Sequence, residues 1–175
     1  MILGVVLAGG MSRRFGSDKA LAEIDGQTLI AHAVETMTRL CDEVIVAGRQ
    51  DAPAPTVPDW PRGGEGPLGG IAAGLHHARD NGYASILTCG VDAFGLPDNL
   101  LERLSPAPAY VASQRVIGHW PVDSIPIVER LIEGGGPQSM RAFVGAIGAR
   151  AVELPDPPRN INTPADLAAA RRAIG

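Results

Sequence analysis

The chain opens with an unbroken apolar run, Ile2-Leu3-Gly4-Val5-Val6-Leu7, which passes directly into Ala8-Gly9-Gly10-Met11-Ser12-Arg13-Arg14-Phe15-Gly16-Ser17-Asp18-Lys19. A run of this kind, with no alternation of polar positions, reads as a strand buried on both faces, the condition of a strand inside a helix-covered parallel sheet. Ligands of such sheets bind in the crevice outside the carboxyl ends of the strands. Gly9 and Gly10 stand at that end and let the backbone approach a ligand closely, because they lack a Cβ. The N–H groups of residues 9 to 12 can converge on an anion. Arg13, Arg14 and Lys19 add positive charge for a polyphosphate, arginine as a planar fork and lysine as a point charge. The spacing matches neither the Walker phosphate loop nor the G-x-G-x-x-G dinucleotide fingerprint.

Strand and helix signals alternate beyond this point. Residues 28–40 read as a helix with Thr28 as N-cap and Leu29, Ile30, Ala33, Val34, Met37 and Leu40 at three- and four-residue spacing. Residues 44–47 and 85–89 read as buried strands, and 70–79 as an alanine-rich helix. A helix with proline in its first turn is expected over 97–104. Weaker strands are expected at 109–112 and 116–122, short helices at 125–132 and 139–147, and a last strand at 149–154. Thr163-Pro164 starts a terminal helix running to Ile174. The rhythm predicts one doubly wound, mainly parallel sheet with right-handed crossovers, and no linker divides the chain. Residues 51–69 read as a single long loop, which inside a compact domain is usually functional.

Composition removes several classes of function. With 175 residues, 45% of them hydrophobic, the chain suits one globular domain. A net charge of −4 argues against a nucleic-acid surface, so the cations near the start are site-like. Cys41 and Cys89 have no partner spacing for zinc or a redox pair, as in a reduced cytosolic protein. No segment approaches the ~18–20 apolar residues of a membrane span, and no signal peptide is evident. A soluble, cytoplasmic protein is expected.

Three further constellations carry chemistry. The long loop holds Asp59 and then Gly63-Gly64-Glu65-Gly66-Pro67-Leu68-Gly69-Gly70 ahead of a helix. Its glycines suit close approach to a ligand, the helix start offers a positive dipole end, and a fixed carboxylate can accept two N–H bonds from a guanine edge. The loop also reads as a glycine-rich surface turn with a solvated aspartate. Asp92 follows the 85–89 strand, where a carboxylate facing a phosphate loop can hold Mg²⁺, a hard cation shared with substrate phosphates; it reads equally as a turn or capping residue. Asn160 and Asn162 stand two apart in an extended segment and so face one side, with amides able to donate to and accept from a heterocycle. His119 is expected either at the pocket rim or in packing. His76 and His77 lie in a helix as bystanders pointing apart.

Leu7 to Lys19 resembles the signature L-x-G-G-x-x-x-R-M-G-x-D-K of nucleotidyltransferases with a Rossmann-like catalytic domain, with Phe15 where methionine is usual. Together with the Gly66-Pro67-Leu68-Gly69-Gly70 turn, the strand-end Asp92 and Asn160-Ile161-Asn162-Thr163-Pro164, almost the whole chain resembles the molybdenum cofactor guanylyltransferase family. The resemblance implies a single three-layer α/β/α domain over 1–175, nucleotide bound by the N-terminal part and pterin acceptor by the C-terminal part. It implies transfer of GMP from GTP to molybdenum-loaded molybdopterin with release of pyrophosphate and Mg²⁺ as cofactor. Leu7, Ala8, Gly9, Gly10, Pro67 and Leu68 would line the nucleotide, Arg14 and Lys19 would meet the phosphates, and Asp59 would read guanine. Asp92 would hold metal and nucleotide, and Asn160, Asn162 and His119 would face the acceptor. Partner proteins that deliver molybdopterin or receive the product, the molybdoenzymes, belong to the same implication; nucleic acid and membrane do not.

The chain departs from the family pattern at Ala47-Gly48-Arg49, where asparagine is frequent, at Gly90-Val91 before Asp92 and Ala93-Phe94 after it, and at Trp120, which separates His119 from Pro121. Readings that stay open are a cytidylyl or sugar-phosphate nucleotidyltransferase and a nucleotide-binding regulator without catalysis.

Overall fold

In the computed structural model, which describes residues 1–10 and 18–174, the opening run is strand β1 (Ile2–Leu7). A 3₁₀ turn (Lys19–Leu21) leads into a small ribbon of β2 (Glu23–Ile24) and β3 (Gln27–Thr28), then helix α1 (Leu29–Leu40) and β4 (Glu43–Ala47). There follow β5 (Thr56–Val57), α2 (Gly66–Asp80), β6 (Ser85–Gly90), β7 (Ala93–Phe94), α3 (Leu100–Arg103), β8 (Ala109–Val111) and β9 (Gln114–Pro121). A second 3₁₀ turn leads to α4 (Ile125–Glu133), α5 (Met140–Ala146), β10 (Arg150–Val152), β11 (Arg159–Asn160) and α6 (Pro164–Ile174).

Seven of these strands form one sheet in the order β10-β8-β9-β6-β1-β4-β5. Only β9 runs against its neighbours β6 and β8; the remaining pairs are parallel. From β1 the chain builds outward through β4 to β5, then returns to lay β6 on the opposite side of β1. The strand order therefore switches between β1 and β6, with Leu7 opposite Gly90 at their carboxyl ends. A crevice opens where crossovers diverge in this way.

Side-chain alternation along β1 sends Leu3 and Val5 to the layer of α2, α4 and α5, where Leu75, Trp120, Val128 and Phe143 complete one core. Val6 faces the opposite layer, with Ile30, Ala33 and Met37 of α1 and Leu100 of α3. Thr28 Oγ1 accepts from Ala31 N at 3.2 Å and caps α1, as its sequence predicts. A smaller cluster of Ile24, Leu29, Ile161 and Leu167 seats α6 against the β2–β3 ribbon.

Four boundaries differ from expectation. Helix α2 begins at Gly66, earlier than residue 70, because Pro67 suits a helix start and Leu68, Gly69 and Gly70 are all buried. The 97–104 helix shrinks to Leu100–Arg103, since Pro97 to Asn99 are spent in a turn closed by Leu100 N donating to Pro97 O. The 51–69 segment contains β5 on the sheet edge, kept to two residues by Pro55 and Pro58 on either side. The last expected strand narrows to Arg150–Val152.

Candidate active site

A cleft of about 380 Å³ lies at the switch point. Leu7, Ala8, Gly9 and Gly10 line it beyond β1, Gly90, Val91 and Asp92 beyond β6, and Asp18, Lys19, Ala20, Asp59, Gly64, Gly66, Pro67 and Val116 complete it. The start of α2 faces this space. Glu65, at its N-cap position, makes no side-chain cap and is ion-paired instead with Arg62 at 3.2 Å. The positive end of the helix dipole is thus presented to the cleft, beside Asp59.

Asp59 projects from the loop after β5 over the exit of β1. A Cβ added to Gly9 would stand 2.8 Å from Asp59 Oδ2, and one on Gly48 would stand 2.9 Å from Asp59 Oδ1 and 2.7 Å from Gly9 Cα. Gly48 also adopts a left-handed φ of 83°. Both positions therefore exclude larger residues. No donor among the described residues bonds to the Asp59 carboxylate, and its burial raises its pKa above the ordinary carboxylate value. The loop behind it is closed by Trp60 N donating to Gly69 O at 3.0 Å.

Asp92 is built differently. Lys19 Nζ lies 3.2 Å from Asp92 Oδ2 and donates also to Asn162 Oδ1 at 3.5 Å. Antiparallel pairing of β7 with β11 brings Asn162 there, continued by Ile161 N donating to Asp92 O at 2.8 Å. Asp166 Oδ2 accepts from Asn162 N and Thr163 N, and Thr163 Oγ1 accepts from Asp166 N, so a reciprocal cap fixes the segment at the start of α6. A Cβ on Gly90 would stand 2.5 Å from Asp92 Oδ1, so a larger residue there would displace the carboxylate that folds back over it. That is the physical use of the atypical Gly90. Among the described residues no cluster of three or more histidine, cysteine or acidic side chains forms a metal cage; Asp92 and the Asn162 carbonyl are the hard oxygen donors beside Lys19.

The MobA-like NTP transferase domain profile matches residues 4–153. The chain is 38% identical to a molybdenum cofactor guanylyltransferase of Acidiphilium cryptum over 95% of its own length and 92% of that protein. It is 35% identical to one of Rhodobacter capsulatus over 97% and 94%. This chain belongs to the MobA-like NTP transferase family. Its fold is shared with molybdopterin-guanine dinucleotide biosynthesis protein A of Archaeoglobus fulgidus, at a TM-score of 0.78 and 19% identity over 98% of both chains. The protein is accordingly a nucleotidyltransferase.

Within this MobA-like frame, the expected site residues separate into four groups. Leu7, Ala8, Gly9, Gly10, Lys19, Asp59, Pro67 and Asp92 line one cleft, and Asn162 borders it through Lys19. Asn160 is exposed on β11, paired with Ala93 and one pleat from Asn162. Arg14 lies outside the described residues. Two of the expected residues lie outside the cleft lining. Leu68 is fully buried in the core, because the α2 rotation after Pro67 turns it toward the sheet. His119 is not at the rim: it is 5% exposed, opposite Leu87 in the middle of the sheet. Its Nδ1 donates to Leu104 O at 3.2 Å and its Nε2 accepts from Ser85 Oγ at 2.8 Å, the neutral tautomer, and burial lowers its pKa.

Two residues near the cleft, Asp18 and His76, are not singled out by the sequence. Asp18 lines the cleft and is bonded to Arg49 at 2.7 Å. His76, read as a bystander, packs on Trp60 with ring centroids 5.0 Å apart. Its Nε2 lies 2.8 Å from Glu129 Oε1. Trp60 adjoins Asp59, so this contact between α2 and α4 supports the loop that carries the carboxylate. No helix among the described residues is long and apolar enough to cross a membrane.

Proposed function

We propose that this enzyme transfers GMP from GTP to molybdenum-loaded molybdopterin and releases pyrophosphate, in the cytoplasm. The observation that carries this reading is the meeting in one cleft of the Asp59 carboxylate, which has no donor among the described residues, with the Lys19–Asp92–Asn162 cluster on the opposite wall. A carboxylate acceptor pair without a donor from the described residues matches the N–H edge of guanine. A cation flanked by a carboxylate and an amide matches a polyphosphate with its counterion.

The donor set suits Mg²⁺. Asp92 and the Asn162 carbonyl are oxygen ligands, and the ammonium of Lys19 already stands against them, so a cation is accommodated there. Asp92 is the residue that would hold the ion; bound, it would neutralise phosphate charge and polarise the α-phosphoryl group.

The remaining chemistry falls to the chain itself. The backbone N–H groups at Gly9 and Gly10 and the start of α2 cradle the phosphates. Lys19, joined by Arg14, stabilises charge on the α-phosphoryl group and on the departing pyrophosphate. The terminal phosphate oxygen of the acceptor attacks the α-phosphorus in line as the bond to pyrophosphate breaks. That oxygen is already anionic at neutral pH, so no general base is required and positioning supplies most of the rate. Asn160 and Asn162 orient the pterin on the β11 side, where a delivering protein or a recipient molybdoenzyme has access to it.

The test is incubation with Mg²⁺, molybdopterin and each α-labelled NTP in turn. Label from GTP in the pterin product is expected. Label from CTP instead would reassign the base, and nucleotide binding without transfer to any acceptor would make the protein a regulator.

A further inference from the structure

Asp18 and Lys19 are consecutive, yet their side chains leave in opposite directions across the mouth of the cleft. Asp18 Oδ2 meets Arg49 Nη2 at 2.7 Å, just beyond the end of β4. Lys19 Nζ meets Asp92 Oδ2 at 3.2 Å, just beyond the end of β6. Since β4 and β6 are the two neighbours of β1, this dipeptide is tied to the strand ends on both sides of the phosphate loop's own strand.

The Asp18 end is held at more than one point. Asp18 Oδ1 accepts from Ala20 N at 3.2 Å, and Arg49 Nε donates to Asp51 O at 2.9 Å. The guanidinium is thus gripped from its own loop while it grips the carboxylate. An exposed ion pair by itself stabilises little. The Arg49 side chain is 20% exposed and that of Asp18 45% exposed, and the bond to Arg49 is what lowers the Asp18 pKa most. The consequence of such a pair lies in where it sets the adjacent residue. Lysine is a flexible point charge, and its direction is set by where its backbone is anchored.

Resting on the reading that Lys19 meets the nucleotide's phosphates, we propose that Asp18 and Arg49 are a positioning pair for the transfer reaction: they fasten the Asp18–Lys19 dipeptide to the β4 exit and so aim Lys19 at the α-phosphoryl group. Neither needs to touch the reacting atoms. A displaced charge at this distance costs rate steeply, because the catalysis is positional.

The experiment is a double-mutant cycle on the full chain, read by transfer kinetics with GTP and molybdopterin, by calorimetric affinity for GTP and by thermal midpoint. Arg49→Ala and Asp18→Asn should each lower kcat/KM for GTP about tenfold with little change in midpoint, and Arg49→Lys should recover part of the loss. In a Lys19→Ala background neither change should matter further, since the pair acts through the ammonium. Additive losses, as expected if Asp18 touched the ligand itself, overturn the proposal. Wild-type rates for Arg49→Ala and Asp18→Asn beside an impaired Lys19→Ala overturn the positioning pair alone. Wild-type rates for Lys19→Ala overturn the phosphate reading together with it. Should Arg49→Ala fail to fold, Asp18→Asn, which keeps an oxygen for Ala20 N, decides the matter by the same cycle.

Discussion

The two carboxylates on opposite walls of the cleft are handled in opposite ways. Asp92 has a cation 3.2 Å away and an amide bonded to the same cation. Asp59 sits among glycines with no donor from the described residues, and burial raises its pKa. Burial without a donor disfavours the charged form of a carboxylate, which is the direction in which the Asp59 pKa is moved. The contrast separates two kinds of recognition. The Asp92 wall is electrostatic and offers charge to charge. The Asp59 wall is a shaped acceptor, framed by glycines and without a donor from the described residues.

Asp92→Asn breaks this comparison most severely, because it removes the charge but keeps the shape. Transfer should fall more than about a hundredfold, with partial recovery at high Mg²⁺ or Mn²⁺, measured as pyrophosphate release against metal concentration. An unchanged metal requirement would leave Asp92 as a mere strand terminator. Lys19→Ala, on the same wall, should slow turnover by roughly ten- to a hundredfold, the worth of one charge-assisted bond of about 1.5–3 kcal/mol, without loss of fold. Equal rates for mutant and wild type would remove Lys19 from the phosphates.

Asp59→Ala sharpens the contrast from the other wall. GTP affinity should fall about tenfold, one good hydrogen-bonded contact, while affinity for free pyrophosphate stays the same by calorimetry. Equal losses for both ligands would make Asp59 a loop-shaping residue. The sign of its pH dependence is also fixed. With its folded pKa raised, Asp59 contributes stability below its unfolded pKa and loses it as pH rises through the folded value, so the ligand-free protein should gain thermal stability on Asp59→Asn at neutral pH.

His119 gives the smallest effect and a control outside the cleft. Its folded pKa is lowered by burial, so its contribution is complete above the ordinary value of 6.5 and is lost as pH falls through the folded one. Thermal midpoints should drop on acidification from about pH 7 to 5, with a shallower slope in His119→Gln. Retention of the full slope in the variant would place the titration elsewhere.

Much of the local structure was legible because its causes are local. The buried strand with its glycine exit, the Thr28 cap and the Thr163-Pro164 start all depend on residues within a turn of one another. Helix α3 and the start of α2 were misjudged at their edges, where proline position competes with periodicity. His119 was misplaced because alternation on β9 reveals that Trp120 and His119 face opposite layers, but not which part of the strand reaches the cleft.

By itself the sequence determined the strand–helix order, the phosphate-type loop at one strand end and the residue types available there, since these follow from hydrophobic period, capping and backbone freedom. Only the tertiary structure decided which of those residues meet. Lys19 reaches Asp92 across 73 positions and Asn162 across 143, and Asp18 reaches Arg49 across 31. Such meetings depend on β4 and β6 flanking β1, which is a choice of strand order made by the packing of the whole sheet and its helices. The glycine cradle of Asp59 belongs to the same class, because closeness between Gly9, Gly48 and residue 59 exists only once three separate strand exits lie side by side.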